Sequence, residues 1–137
     1  MSFLLDTNVV SELRRTRVDA NVQRWAAAQS PATLFISVIT VVELERGISR
    51  RERTDPRQGA ALRAWFDGQV LRAFAGRVIP VDISIAQRAG RLHVPDPRPE
   101  NDTLIAATAL ERGLTVVTRN VGDFHAASVR VLNPWEA

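Results

Sequence analysis

Apolar residues are distributed along the chain in two alternating patterns. Short runs of three to five residues, rich in Val, Ile and Leu, occur at Phe3–Leu5, Leu34–Ile36, Arg77–Val81, Thr115–Thr118 and Val129–Leu132. Runs of that length and composition read as buried strands. Between them the apolar positions recur every three or four residues, as on one face of a helix. The expected helices are Val9–Arg14 after an Asn8 cap, Asn21–Gln29 after Asp19, and Val38 to about Arg50 after Ser37. Further ones are Gln58–Ala75, a helix through about His93 capped by Ser84, and Asp102–Arg112, stopped by Gly113. RRERTDPR at 50–57 reads as a charged turn, and VPDPRPE at 94–100 holds too much proline for a helix or central strand. Strands alternating with helices predict an α/β fold: a short parallel central sheet flanked by helices on both faces. No repeat or linker divides residues 1–137, so one domain is expected.

In such a sheet, ligands bind beyond the carboxyl ends of the strands. Asp6 directly follows the first strand, Asp123 lies shortly after the fourth, and Asp102 opens a helix leading back toward it. Each has a purely local explanation: a turn or cap at Asp6, a cap at Asp102, a turn after Gly122 at Asp123. Glu43 lies on a mostly apolar helix, where an acid is costly unless it is paired or on a metal. An ion pair with Arg46 or Arg50 would satisfy it. Glu45 is about 200° further round the helix, so the two cannot serve one site. Local pattern does not choose between them.

Composition narrows the chemistry. All 18 basic residues are arginine, cysteine is absent, and His93 and His125 are the two histidines. Without lysine there is no standard P-loop and no Schiff base. Without cysteine there is no thiol nucleophile and no thiolate metal site. The 15 acids carry most of the polar chemistry. Converging carboxylates repel and must take up protons or a cation. An all-oxygen set suits Mg²⁺ or Mn²⁺, the chemistry of metal-assisted phosphodiester hydrolysis. The net charge of +3 is local. Arg46–Arg63 holds six arginines against Glu52 and Asp55, and the rest of the chain is nearly balanced. No stretch approaches the length of a membrane span and no signal peptide is evident, so a cytoplasmic protein is expected.

LLDTNVVSE (4–12), SVITVVELERGI (37–48), ENDTLIAATALERG (100–113), TRNVGDF (118–124) and VLNPWE (131–136) follow one another over nearly the whole chain. In this order they resemble PIN-domain ribonucleases, and among them the VapC-type toxins of toxin–antitoxin pairs. The resemblance implies that Asp6, Glu43, Asp102 and Asp123 are the catalytic, metal-holding acids, and so selects Glu43 over Glu45. It implies that Thr7, Asn8, Thr118 and Asn120 support them. The implied activity is that of an endoribonuclease hydrolysing RNA with a water activated by Mg²⁺ or Mn²⁺. The implied partners are a VapB-like antitoxin and a second copy of the chain, in a homodimer or a larger toxin–antitoxin assembly. Arg14, Arg15, Arg46, Arg50 and Arg51 follow elements bearing a proposed ligand and are candidate RNA contacts. A catalytically weak RNA-binding module and a structure-specific DNA nuclease are the competing readings. A receiver domain, which also holds Mg²⁺ at strand ends, needs a lysine that this chain lacks.

Overall fold

The computed structural model describes residues 1–137. Five strands form one parallel sheet in the order β3-β2-β1-β4-β5. β1 is Phe3–Leu5, β2 Leu34–Ser37, β3 Val78–Ile79, β4 Thr115–Val117 and β5 Val131–Leu132. The first strand is thus central. It pairs with β2 through Phe3–Leu34 and with β4 through Leu5–Val117. After β3 the chain crosses back to add β4 and β5 on the other side of β1, which puts a topological switch point between the carboxyl ends of β1 and β4.

The period-two alternation of the strands divides the core into two layers. Phe3, Leu5, Ile36 and Val117 point to one face, and Leu4, Phe35 and Val116 to the other. The first face is covered by α1 (Thr7–Arg14), α2 (Ala20–Ala27), α3 (Val38–Thr54) and α4 (Pro56–Trp65), and Val9, Trp25, Leu44 and Phe66 fill it. α6 (Ile83–Leu92), α7 (Glu100–Arg112) and α8 (Gly122–His125) cover the second, with Ile85, Ile105 and Phe124. From Pro56 to Ala73 the chain is helical throughout: α4 passes through a π-helical segment, Phe66–Val70, into the short α5 (Leu71–Ala73).

The boundaries differ from the sequence reading where one residue ends one element and begins another. The 50–57 segment is no extended turn. α3 continues to Thr54, and Asp55 both ends it and caps α4, taking the Gln58 N–H at 3.2 Å. The α3–α4 approach is so close there that a Cβ on Gly59 would lie 2.5 Å from Glu52 Cα. α6 is capped by Asp82, which accepts from Ile85 N at 2.9 Å, and not by Ser84. α1 starts two residues early because Asp6, not Asn8, is its cap. α7 ends as expected, at Gly113 with φ +66°.

Candidate active site

Two residues fix the centre of the site. Asp6 follows β1, and Thr118 follows β4, so the paired strands deliver both to the switch point. The Thr118 hydroxyl, fully buried, donates to Asp6 Oδ2 at 2.9 Å. Asp6 Oδ1 accepts the Thr7 N–H at 2.8 Å, and Asn8 Nδ2 reaches Oδ2 at 3.3 Å. The capping role and a site role are therefore held by the same carboxylate. Asn8 Nδ2 also lies 3.1 Å from Thr118 Oγ1, and Asn8 Oδ1 accepts the Arg119 backbone N–H at 3.2 Å. Asn120 joins through its backbone, its N–H donating to Thr118 Oγ1 at 3.0 Å.

Glu43 and Glu45 part company as the spacing requires. The Thr7 hydroxyl donates to Glu43 Oε1 at 2.6 Å and sits 3.2 Å from the hydroxyl of the fully buried Thr40, one turn earlier on α3. Asn101 Nδ2 approaches Glu43 Oε2 at 3.4 Å. No arginine pairs with Glu43, whereas Glu45 faces α4 and pairs with Arg63 at 2.5 Å. Arg63 also holds Glu52 at 3.1 Å; the two carboxylates raise its pKa, Glu52 more than Glu45. Sequence pattern alone missed Asn101 and Thr40. Both were visible only as polar residues at helical positions beside a candidate acid.

Asp102 is not the cap of α7. Pro99 occupies that position, and Asp102 lies in the first helical turn. There it lines a narrow crevice with Arg98, Pro99, Thr103 and Asp123, the last contributed by α8. Its carboxyl is pushed up to about 6, first by burial and then by the charges of Asp6, Asp123 and Glu43. Asp6 is also raised: burial outweighs the donors from Thr118 and Thr7, and Glu43 and Asp123 add to the rise. The four acids therefore share one field at the carboxyl edge of the sheet. No three of them are drawn into a ready-made ligand shell. A hard divalent ion still fits, because Mg²⁺ keeps most of its waters and needs one or two carboxylates rather than a protein cage.

The remaining polar candidates form no hydrogen bond or ion pair with the four acids. The Arg14 guanidinium lies over the Trp65 ring at 5.7 Å, and Arg15 pairs with Glu12 at 3.2 Å. Arg46, Arg50 and Arg51 are exposed along α3, with Arg50 and Arg51 roughly 11 Å further along the axis than Glu43. His93 Nδ1 accepts the Arg98 N–H at 3.0 Å and so orders the 94–99 loop, while His125 is exposed on α8. The largest cavity, about 480 Å³, is at the far end of the strands between Ser2 and Leu114, where Arg112 is paired with Asp82.

Residues 3–128 match the family model described as PIN domain. The chain is 41% identical to the plasmid stability protein StbB of Pseudomonas syringae, over 98% of this chain and 99% of that one. It is 37% identical to the VapC ribonuclease Y4jK of Sinorhizobium fredii, over 97% of each. Its backbone superposes on the crystal structure of FitAcB from Neisseria gonorrhoeae with a TM-score of 0.90 at 34% identity, covering 98% of this chain and 99% of that one. No helix is long and apolar enough to cross a membrane. Matched in sequence over almost its whole length, and in backbone with four acids at the switch point, the chain is a member of the PIN domain family.

Proposed function

We propose that this chain is a metal-dependent endoribonuclease, the toxin of a toxin–antitoxin pair, and that Asp6, Glu43, Asp102 and Asp123 form its active site. The observation that carries the reading is the convergence of these acids at one strand edge, where burial first and then the charges of Asp6, Asp123 and Glu43 lift Asp102 to about 6. A cluster of that charge at a strand edge costs stability unless a cation offsets it. The VapC ribonuclease of Sinorhizobium fredii supports the RNA substrate, and the toxin FitB of Neisseria gonorrhoeae, 35% identical over 96% of this chain and 97% of that one, supports the toxin role.

Asp102 and Asp123, which face one crevice, are the residues best placed to hold Mg²⁺ or Mn²⁺, with Asp6 and Glu43 adding their charge to the site. When bound, such an ion offsets charge on the phosphoryl oxygens and activates water for attack on phosphorus. The chain's own contribution is orientation. Thr118, Asn8 and the Thr7 N–H hold Asp6 in one rotamer, while the Thr7 hydroxyl and Asn101 aim Glu43 inward. Asp102 accepts no hydrogen bond, which leaves its oxygens free, and with its carboxyl at about 6 it is mostly ionised at neutral pH. A VapB-like antitoxin would restrain the activity, and two copies of the chain would associate.

The test is cleavage of structured RNA by the purified chain, free of other protein, with Mg²⁺, with Mn²⁺ and with EDTA. Cleavage should need the ion and disappear in Asp6→Asn and Asp102→Asn. Cleavage that survives EDTA or both substitutions refutes the metal mechanism. RNA that binds but is never cut would make the chain a binding module instead.

A further inference from the structure

Four carboxylates repel a polyanion, so an RNA strand needs cations placed beside the acids but not neutralised by them. Two arginines outside the charged 46–63 segment meet that condition. Arg119 directly follows Thr118, and its backbone N–H is held by Asn8 in the centre of the site. Its exposed guanidinium lies 5.1 Å over the Trp135 ring. The Trp135 backbone is held on both sides, its main-chain N–H donating to Asn133 Oδ1 at 3.0 Å and its main-chain carbonyl accepting from Asn21 Nδ2 at 2.7 Å, and its ring packs against the core of the first face. Arg98 stands on the Asp102–Asp123 side. It lines the crevice with those two acids and an adjoining cleft of about 410 Å³ with Asp96, Gly122 and Asp123. Neither guanidinium takes part in an ion pair.

We propose that Arg98 and Arg119 are the RNA-positioning residues, holding phosphates on either side of the acid cluster, with Trp135 as the platform that fixes Arg119. The cation–π contact leaves the N–H edge of the guanidinium free while limiting its rotamers. A planar arginine on an indole also offers a stacking surface to an unpaired base, which favours a single strand over a duplex. The inference rests on the ribonuclease reading for its substrate.

The experiment is binding of a 5′-fluorescein-labelled 12-nucleotide single-stranded RNA, followed by anisotropy in EDTA, where metal-dependent cleavage is stopped, across a range of salt. Arg98→Ala and Arg119→Ala should each weaken binding about three- to tenfold. Each should also reduce the slope of log K against log salt by about 0.7, the value of one lost phosphate contact on a single strand. Arg119→Lys should restore the slope but not the full affinity, because lysine does not stack. Trp135→Leu should weaken binding with the slope unchanged, and Arg72→Ala, on α5, should behave as wild type. In Mg²⁺ the two alanine variants should raise KM with kcat within about twofold. Wild-type affinity and slope in Arg98→Ala and Arg119→Ala, or no RNA binding by the wild type, would overturn the proposal. So would loss of affinity for a partner protein with RNA binding intact. Wild-type binding without cleavage in Mg²⁺ would leave this proposal standing and refute the ribonuclease reading.

Discussion

Asp102→Asn should stabilise the metal-free protein while abolishing its activity. The carboxyl moves from its usual 3.8 to about 6 on folding. A raised acid holds its proton in the folded state when the unfolded chain has already lost it. Folding is therefore unpenalised below about pH 4, loses stability as the pH rises toward 6, and carries the full cost above that. Two units would be about 3 kcal/mol, but the residue is half-exposed, and solvent screening reduces this to about 1–2 kcal/mol. Asparagine removes that cost. It also removes a favourable negative charge in the first turn of α7, which is worth about 0.5 kcal/mol. The net gain at pH 7.5 is then about 1 kcal/mol, a rise in Tm of roughly 3–6 °C for a domain of this size. Thermal unfolding in EDTA, followed by circular dichroism from pH 4 to 8, measures it directly. The gain should grow between pH 4 and 6 and be flat above. Mg²⁺ should stabilise the wild type and leave the variant unchanged. A variant less stable than wild type at pH 7.5 in EDTA would mean that burial and the neighbouring acids do not burden the ionised Asp102, and would remove the need for a cation there.

Other substitutions probe single contacts. Glu43→Gln should reduce RNA cleavage at least 100-fold, whereas Glu45→Gln, whose partner Arg63 keeps Glu52, should stay within about twofold; initial rates in Mg²⁺ decide it. Thr7→Val removes the 2.6 Å donor to Glu43 and should lower Mn²⁺ affinity about tenfold by calorimetry, with Thr7→Ser restoring it. Gly59→Ala forces a Cβ into the α3 backbone and should cost about 2 kcal/mol in urea unfolding, with the specific activity of the folded fraction unchanged.

The strands and their order along the chain were legible because each is a compact apolar run, and the caps Asp19 and Ser37 act within three residues of themselves. Errors arose where two local signals competed. Ser84 and Asp82 are both good caps, and only the second reaches an orphan N–H. Asp55 and Pro56 suggested a loop, yet a helix can stop and restart across one residue when that residue caps both. The acids were legible as candidates from their positions after strands. The choice of Glu43 over Glu45 came from the family resemblance and was not legible in local pattern, because in the fold it is made by Arg63, which reaches Glu45 from the next helix. Of the arginines on 46–63 only Arg63 is in an ion pair, within the α3–α4 hairpin, and two further unpaired arginines beside the acids, Arg98 and Arg119, lie outside that segment.

The position of β1 also bears on the timing of assembly. It is the first strand to be made and the central one in the sheet, yet one of its two neighbours is residues 115–117 and its acid is held by Thr118, 112 residues away. Such long-range pairing forms late and makes folding slow relative to a helical chain. A growing chain shorter than this has neither the β4 edge nor Asp123, so it carries at most three of the four acids and no hydroxyl to lock the first. If the chain is the toxin proposed here, its partial products on the ribosome are inert, and cutting activity arises only when nearly all of the residues described have been made.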